Sequence, residues 1–302
     1  MPTTLRISDR DIALSRLGKE LFPADHLTKH DVIDYYRDVA DVMVPHLAGR
    51  PLVLRRYPDG IDADGFVQQA ASRHFPDWLT IAEAPRRDGP GSVDHVVCDD
   101  AATLVYLANQ AAIEYHTWLS TTRDLSRPDR LVIDIDPHRG TGVAAVRRVA
   151  RRLRDLFGSV GLTPFVQATG GRGFHVVAPL DASQDFDYVR ELAQHLADRL
   201  VAADPDQLTT AARKERRGDR IYLDVNRNAY GQTFIAPYSL RSRPGAPVAT
   251  PLDWSELGRA TPDRYRPPAI RRRLGRKADP WATMGEHTAS PAAARRRLDG
   301  VG

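Results

Sequence analysis

Asp134 and Asp136, two residues apart in LVIDIDPHRG, are the first side chains in this sequence whose type and spacing invite chemistry. In an extended strand, residues i and i+2 project from one face. The two carboxylates would therefore stand side by side, with Val132 on their edge and Ile133 and Ile135 facing the other way. Paired carboxylates repel unless a cation lies between them, and oxygen donors select a hard one. A strand end with two solvated aspartates has the same spacing, so the pair alone does not decide. The second feature is TGGRGFH, residues 169–175. Its three glycines permit a tight turn that brings backbone N–H groups to an anion, Thr169 offers a hydroxyl, and His175 opens the next strand. It reads either as a triphosphate cradle or as a glycine-rich hairpin with incidental polar groups. It is not a Walker loop, because no Gly-Lys-Ser/Thr follows and the turn feeds a strand. Third comes YLDVNRNAYGQTFIAPYSLRSRPG. Asp224 offers a third carboxylate there, and Arg227, Arg241 and Arg243 offer cations for phosphates. In an extended segment Arg241 and Arg243 would face one ligand, although each arginine alone suits a surface ion pair equally well. Three carboxylates, a glycine turn and an arginine pair are together the parts of two-metal phosphoryl transfer. One metal activates the attacking 3′-hydroxyl, the other holds the triphosphate, and cationic side chains neutralise the developing charge.

The elements that must position these residues read as mixed α/β. Residues 4–16 alternate as a small hairpin would. Thr28 with Asp31 resembles a capping box, and Val32, Ile33, Tyr36, Val39, Ala40, Met43, Val44 and Leu47 recur at helical spacing, which predicts one helix ending before Gly49. A strand over 51–57 leads into a Gly/Asp-rich loop at 58–65. Another strand is expected around 93–98, followed by a helix capped by Asp99 or Asp100. Then come a strand over 131–136, an arginine-faced helix over 142–157, strands at 163–168 and 174–179 joined by the glycine turn, and a helix over 187–203. Residues 221–225 and 232–237 suggest a closing hairpin. Residues 1–255 are expected to form one catalytic domain. The Pro/Arg-rich stretch 256–302, which shows no sustained periodicity, is expected to wrap that domain or to be partly disordered.

Composition narrows the function further. With 42% apolar and 27% charged residues the chain reads as globular, and its polar start and lack of any long apolar run predict no membrane span and a cytoplasmic address. The single cysteine, Cys98, rules out an internal disulfide and a Cys-rich zinc site, so metal would rest on oxygen or imidazole ligands, as Mg²⁺ or Mn²⁺ prefers. The net charge is +4, yet residues 211–302 carry 19 Lys and Arg against 9 Asp and Glu. That basic third suits either a polyanionic partner or a solvated surface.

At this point the sequence resembles the polymerase domain of bacterial DNA ligase D, the end-joining member of the archaeo-eukaryotic primase superfamily. The resemblance runs from about Leu14 to Trp254. It rests on LFPADHLTKHDVIDYYRDVADVMVPHLAGRP, IEYHTWLS, LVIDIDP, TGGRGFHVVAPL, and LDVNRN with SLRSRPGAPVATPLDW. It implies a primase-like catalytic core with a sheet of the RNA-recognition-motif type packed against a second sheet and helices. It also implies a nucleotidyltransferase that adds nucleotides, preferentially ribonucleotides with Mn²⁺, to primer ends at gaps, overhangs and double-strand breaks.

The resemblance further implies that Asp134, Asp136 and Asp224 hold the metals. Thr169, Arg172, Gly173 and His175 would meet the incoming nucleotide, with His116 at the active site and Arg217, Arg227, Arg241 and Arg243 around the phosphates. Spacing alone would instead make His116 a buried neighbour of Trp118. Lys19 and Lys29 match lysines that hold the 5′-phosphate of a downstream strand, Arg55 joins the DNA contacts, and the Phe66 region matches an aromatic segment that stacks on the template. Two positions depart from the family pattern. Thr169 replaces the usual serine but keeps the hydroxyl. Gln69 stands where lysine is common, which would weaken affinity for nucleotide or DNA. Expected partners are nucleoside triphosphates and gapped, nicked or broken DNA bearing 5′-phosphate. No ligase or nuclease module is recognised in the chain, so a Ku-type end-binding protein and a DNA ligase would act in trans, in a bacterial, nucleoid-associated setting. Two other readings remain open: a primase that starts chains de novo, and a non-catalytic module that binds 5′-phosphorylated ends.

Overall fold

The computed structural model describes residues 3–87 and 89–300, which form two compact units, each assembled from separated stretches of chain. One unit takes the described residues of 1–118 with 235–249 and 265–277, and the other takes 119–234, 250–264 and 278–300. Residues 256–300 are thus shared between the units. They supply helix Pro267–Leu274 to the first and helix Pro291–Gly300 to the second, where Trp281 is 1% exposed.

In the first unit the alternating residues form the hairpin Thr3–Ile7 with Arg10–Leu14. The capping box forms as its residues dictate: the Thr28 backbone N–H donates to Asp31 Oδ2 at 2.7 Å, and Asp31 N–H donates to Thr28 Oγ1 at 3.3 Å. The single helix expected over 28–47 is broken at Val39 into Lys29–Asp38 and Ala40–Leu47. Val32, Ile33, Tyr36, Val39, Met43 and Leu47 are all buried in one core, so the apolar stripe continues through the break and the periodicity conceals it. A sheet runs through Leu52–Arg56, flanked antiparallel by Phe66–Gln68 and Ala112–Trp118, with a short edge strand ending at Ile235. Helix Ala101–Asn109 starts on the Asp100 side chain, which accepts from Thr103 N–H.

The second unit carries the chemistry-bearing motifs. Strand Arg130–Asp136, helix Val143–Ser159, strands Phe165–Ala168 and Phe174–Pro179, helix Phe186–Ala202 and strand Ile221–Asp224 follow one another in that order. In the sheet those four strands lie fourth, first, third, second, which is the arrangement of the RNA-recognition motif. Leu208–Thr209 adds a parallel edge beside Ile221–Asp224, and Thr250–Leu252 closes the opposite edge. Both helices pack on this sheet.

The hairpin expected over 221–237 does not form, because Ile221–Asp224 and Thr233–Ile235 belong to different sheets. The chain leaves the first strand through a 3-10 turn at Asn226–Asn228. Fully buried Asn228 clamps that turn: its Oδ1 accepts from Val132 N–H at 2.8 Å, and its Nδ2 donates to Val132 O at 2.7 Å. A side-chain amide thus takes the hydrogen bonds that a neighbouring strand would otherwise supply.

Candidate active site

Strand register settles the placement of the acidic residues. Asp134 lies directly opposite Asp224 on one neighbouring strand and opposite His175 on the other, and Asp136 lies opposite Tyr222. Directly paired residues on antiparallel strands have Cα atoms roughly 4.5–5.5 Å apart with side chains on one face, and Asp134 and Asp136 share that face by the period of two. Ile133 and Ile135 are fully buried on the opposite face. One sheet face therefore carries all three carboxylates, partly buried, at the ends of two interior strands.

Guanidinium groups neutralise these acids. Arg227 Nε lies 3.5 Å from Asp224 Oδ2 and 3.9 Å from Asp134 Oδ2. Asp136 receives Arg217 Nη1 at 3.3 Å and Arg172 Nη2 at 3.5 Å. Arg217 is itself stacked 3.7 Å from the centre of the Tyr222 ring. Tyr222 in turn donates its hydroxyl hydrogen to Asp224 Oδ1 at 3.0 Å. Burial and then the Asp224 charge push this phenol up to about 12, so it remains a donor. Among the described residues no three acidic, histidine or cysteine side chains converge on one point as they stand, since the carboxylates turn toward the arginines. The donor set nonetheless fits hard divalent cations: three oxygen-only side chains on one face, already drawing cationic groups between them.

The glycine turn differs in detail from its expected use as a row of free N–H donors. Gly170 N–H donates to Pro262 O at 2.9 Å and Gly171 N–H to Thr169 Oγ1 at 3.2 Å, while the Thr169 hydroxyl donates to Gly173 O at 2.9 Å. One of these N–H groups is therefore spent within the turn and the other on Pro262, and Thr169 is the turn's staple. Gly173 is required for space, because a Cβ there would lie 1.8 Å from the Ile135 carbonyl oxygen. His175 is 4% exposed, with Nε2 3.5 Å from Asp134 Oδ1 and its ring edge-on to Phe234; Nδ1 has no hydrogen-bond partner among the described residues.

In the first unit, His116 and Arg241 gather on Glu114, a residue the sequence reading passed over. Glu114 Oε2 accepts from His116 Nε2 at 3.0 Å, and Glu114 Oε1 lies 3.4 Å from Arg241 Nε. The alternation that paired Asp134 with Asp136 applies equally to Glu114 and His116 in IEYHTW, so the signal was present. Residues 241–245 turn instead of running extended, with Arg243 N–H on Arg241 O, so strand alternation does not place the two guanidiniums on one face. Arg55 Nη1 lies 3.7 Å from Glu114 Oε2.

Elsewhere in this unit, Lys29 is buried, with Nζ donating to Ser15 O at 2.6 Å and to Ser15 Oγ at 3.2 Å. Burial, then repulsion from Arg16, Arg56 and Lys19, lowers its pKa to about 8. Lys19 pairs with Asp59. Phe66 is 47% exposed with the Arg56 guanidinium over its ring, and Gln69 is exposed.

Comparison with known proteins adds to this geometry. Residues 28–281 match the family model described as LigD, primase-polymerase domain. The multifunctional non-homologous end joining DNA repair protein LigD of Mycobacterium tuberculosis is 36% identical over 260 residues, covering 83% of this chain and 34% of that protein. The bifunctional LigD of Bacillus subtilis is 32% identical, covering 82% of this chain and 39% of the relative. The chain therefore spans about a third of the length of the curated relatives it matches. Among solved structures, the polymerase domain from M. tuberculosis ligase D in complex with DNA superposes with a TM-score of 0.85 at 32% identity, covering 92% of this chain and 99% of that one.

Proposed function

The chain belongs to the LigD primase-polymerase domain family, a family of nucleotidyltransferases, and from that premise we propose that it adds nucleotides to DNA 3′ ends at gaps and double-strand breaks during end joining. Asp134, Asp136 and Asp224 are the residues that would hold divalent metal. The observation that carries this assignment is the pairing of Asp224 with Asp134 across adjacent strands, with Asp136 on the same face. Metal bound there supplies activation of the attacking 3′-hydroxyl and charge neutralisation at the leaving pyrophosphate. Arg172, Arg217 and Arg227 cover the acids as the structure stands, and they are the cations available to a triphosphate once those acids are otherwise engaged. Thr169 and Gly173 fix the turn that carries Arg172. Lys19, Lys29, Arg55 and Phe66 are the side chains assigned to DNA, with the two lysines on a 5′-phosphate and the aromatic ring stacked on the template. Preference for ribonucleotides and Mn²⁺, and cooperation with a Ku-type protein and a ligase, belong to this reading by family likeness.

The test is extension of a primer on a gapped duplex, with and without 5′-phosphate, comparing Mn²⁺ with Mg²⁺ and ribo- with deoxynucleotides. Asp136 is 42% exposed and its ion pairs contribute little to stability, so Asp136→Ala should melt within a few degrees of wild type. Extension should fall on the order of 10³-fold, because the metal's transition-state contribution is several kcal/mol. A folded Asp136→Ala protein extending at the wild-type rate would remove the metal assignment. Binding of phosphorylated ends without metal-dependent incorporation would leave only an end-binding module.

A further inference from the structure

Glu114 is 1% exposed, and among the described residues the partners of its carboxylate are donors or cations. On one oxygen, Ser242 contributes its N–H at 2.9 Å and its hydroxyl at 2.7 Å, with Arg241 Nε at 3.4 Å. On the other, His116 Nε2 lies at 3.0 Å and Arg55 Nη1 at 3.7 Å. Burial alone would push this carboxyl up. The bond from His116, the charge of Arg241 and the Ser242 N–H outweigh that and hold it well below the ordinary carboxylate range. It is therefore an anion in the interior. One buried negative charge faces two guanidiniums, leaving the cluster net positive. A buried charge is a poor way to gain stability, since a well-packed apolar side chain commonly does as well or better. What it does well is fix geometry. With the acceptor at Nε2, neutral His116 carries its proton on Nε2 and leaves Nδ1 as an acceptor, while the Ser242 bonds tie the 241–242 backbone to the same carboxylate.

We infer that Glu114 is a positioning residue for nucleotide addition: its carboxylate sets the tautomer and ring plane of His116 and anchors the Arg241–Ser242 turn, so that imidazole and guanidinium are each held in one orientation before the nucleotide arrives. The inference rests on the proposed function for its nucleotide, but the local geometry stands by itself. The excess positive charge around an ordered anion suits a polyphosphate ligand, and the orientation is set before that ligand arrives.

Two measurements test this. The first is steady-state nucleotide addition by wild type, Glu114→Gln, His116→Ala and the double variant, each checked by thermal melting. Loss of the outer partner of a metal-ligating histidine typically costs about 10- to 100-fold, and the lower end of that scale is expected for an imidazole that binds a ligand directly. Glu114→Gln should therefore raise KM for the nucleotide by about tenfold or more, and because part of that loss acts through His116, the double variant should lose less than the product of the two single losses. Wild-type KM in folded Glu114→Gln, or fully additive losses in the double variant, would overturn the role. The second measurement needs no turnover: ring-¹⁵N spectra of wild type, with the His116 signals assigned by their loss in folded His116→Gln. Proton occupancy of Nε2 at neutral pH supports the inference, and an Nδ1–H tautomer refutes it. If wild type adds no nucleotide, the proposed function fails while this spectroscopic result still decides the positioning claim.

Discussion

Asp224 confronts Asp134 across two hydrogen-bonded strands, and carboxylates so placed are tolerable only because something positive stands between them. Arg227 fills that role at 3.5 and 3.9 Å. Two residue types thus define the site: acids fixed by strand register, and arginines long enough to serve either the acids or a phosphate. Lys29 poses the opposite problem, a cation surrounded by cations. Its pKa is depressed to about 8 by burial and by Arg16, Arg56 and Lys19, so in the free protein its charge is present below pH 8 and lost as pH rises through that value. If Lys29 holds a 5′-phosphate, the preference for phosphorylated over hydroxyl ends should shrink between pH 7 and pH 9. Competition binding with matched gapped duplexes measures this directly. A preference unchanged across that window would remove Lys29 from phosphate recognition.

At the scale of elements, most of the sheet that carries the three aspartates was legible in the sequence because period-two burial and glycine punctuation are local signals. The run Arg130–Asp136 and the strands on either side of the glycine turn fall within a residue or two of their expected bounds. What was misread depended on distant partners. Nothing between residues 221 and 237 announces that Asn228 will bond the backbone of Val132, nearly a hundred residues earlier, and that contact is what diverts the second half of the supposed hairpin into another sheet. Likewise the glycine turn advertises anion binding, while part of its composition answers to packing against strand Arg130–Asp136. Gly173→Ala tests this. A Cβ 1.8 Å from the Ile135 carbonyl oxygen cannot be accommodated without moving the turn off the strand. Overpacking of this kind typically costs about 1–3 kcal/mol, to be read as a shift in the denaturation midpoint. Because Arg172 rides on the same turn, nucleotide affinity should fall as well. A variant of wild-type stability would mean that the turn has room the structure does not show.

For the whole molecule, the basic C-terminal third suits either a polyanionic partner or a solvated surface, and its charges are distributed over both units with many spent internally. Arg271 pairs with Asp38, Arg295 with Asp299 and Glu191, and Arg217 and Arg227 with the acids of the sheet. Formal charge therefore overstates the number of phosphate contacts, and the salt dependence of DNA binding should reflect only the cations that reach the duplex. Each phosphate neutralised on duplex DNA contributes about 0.9 to the slope of log affinity against log salt, far less in total than 19 basic residues would suggest. Lys19 and Lys29 supply a sharp test, because the proposal directs both at one terminal phosphate carrying nearly two charges. The double variant Lys19→Ala/Lys29→Ala should flatten the slope by about two on a 5′-phosphorylated gapped duplex, and hardly at all on the hydroxyl-ended duplex. Equal losses on both duplexes would make the lysines general backbone contacts. An unchanged slope on the phosphorylated duplex would mean that the Lys19–Asp59 pair and the Ser15 bonds of Lys29 persist when DNA is bound, so that the phosphate site lies elsewhere on the chain.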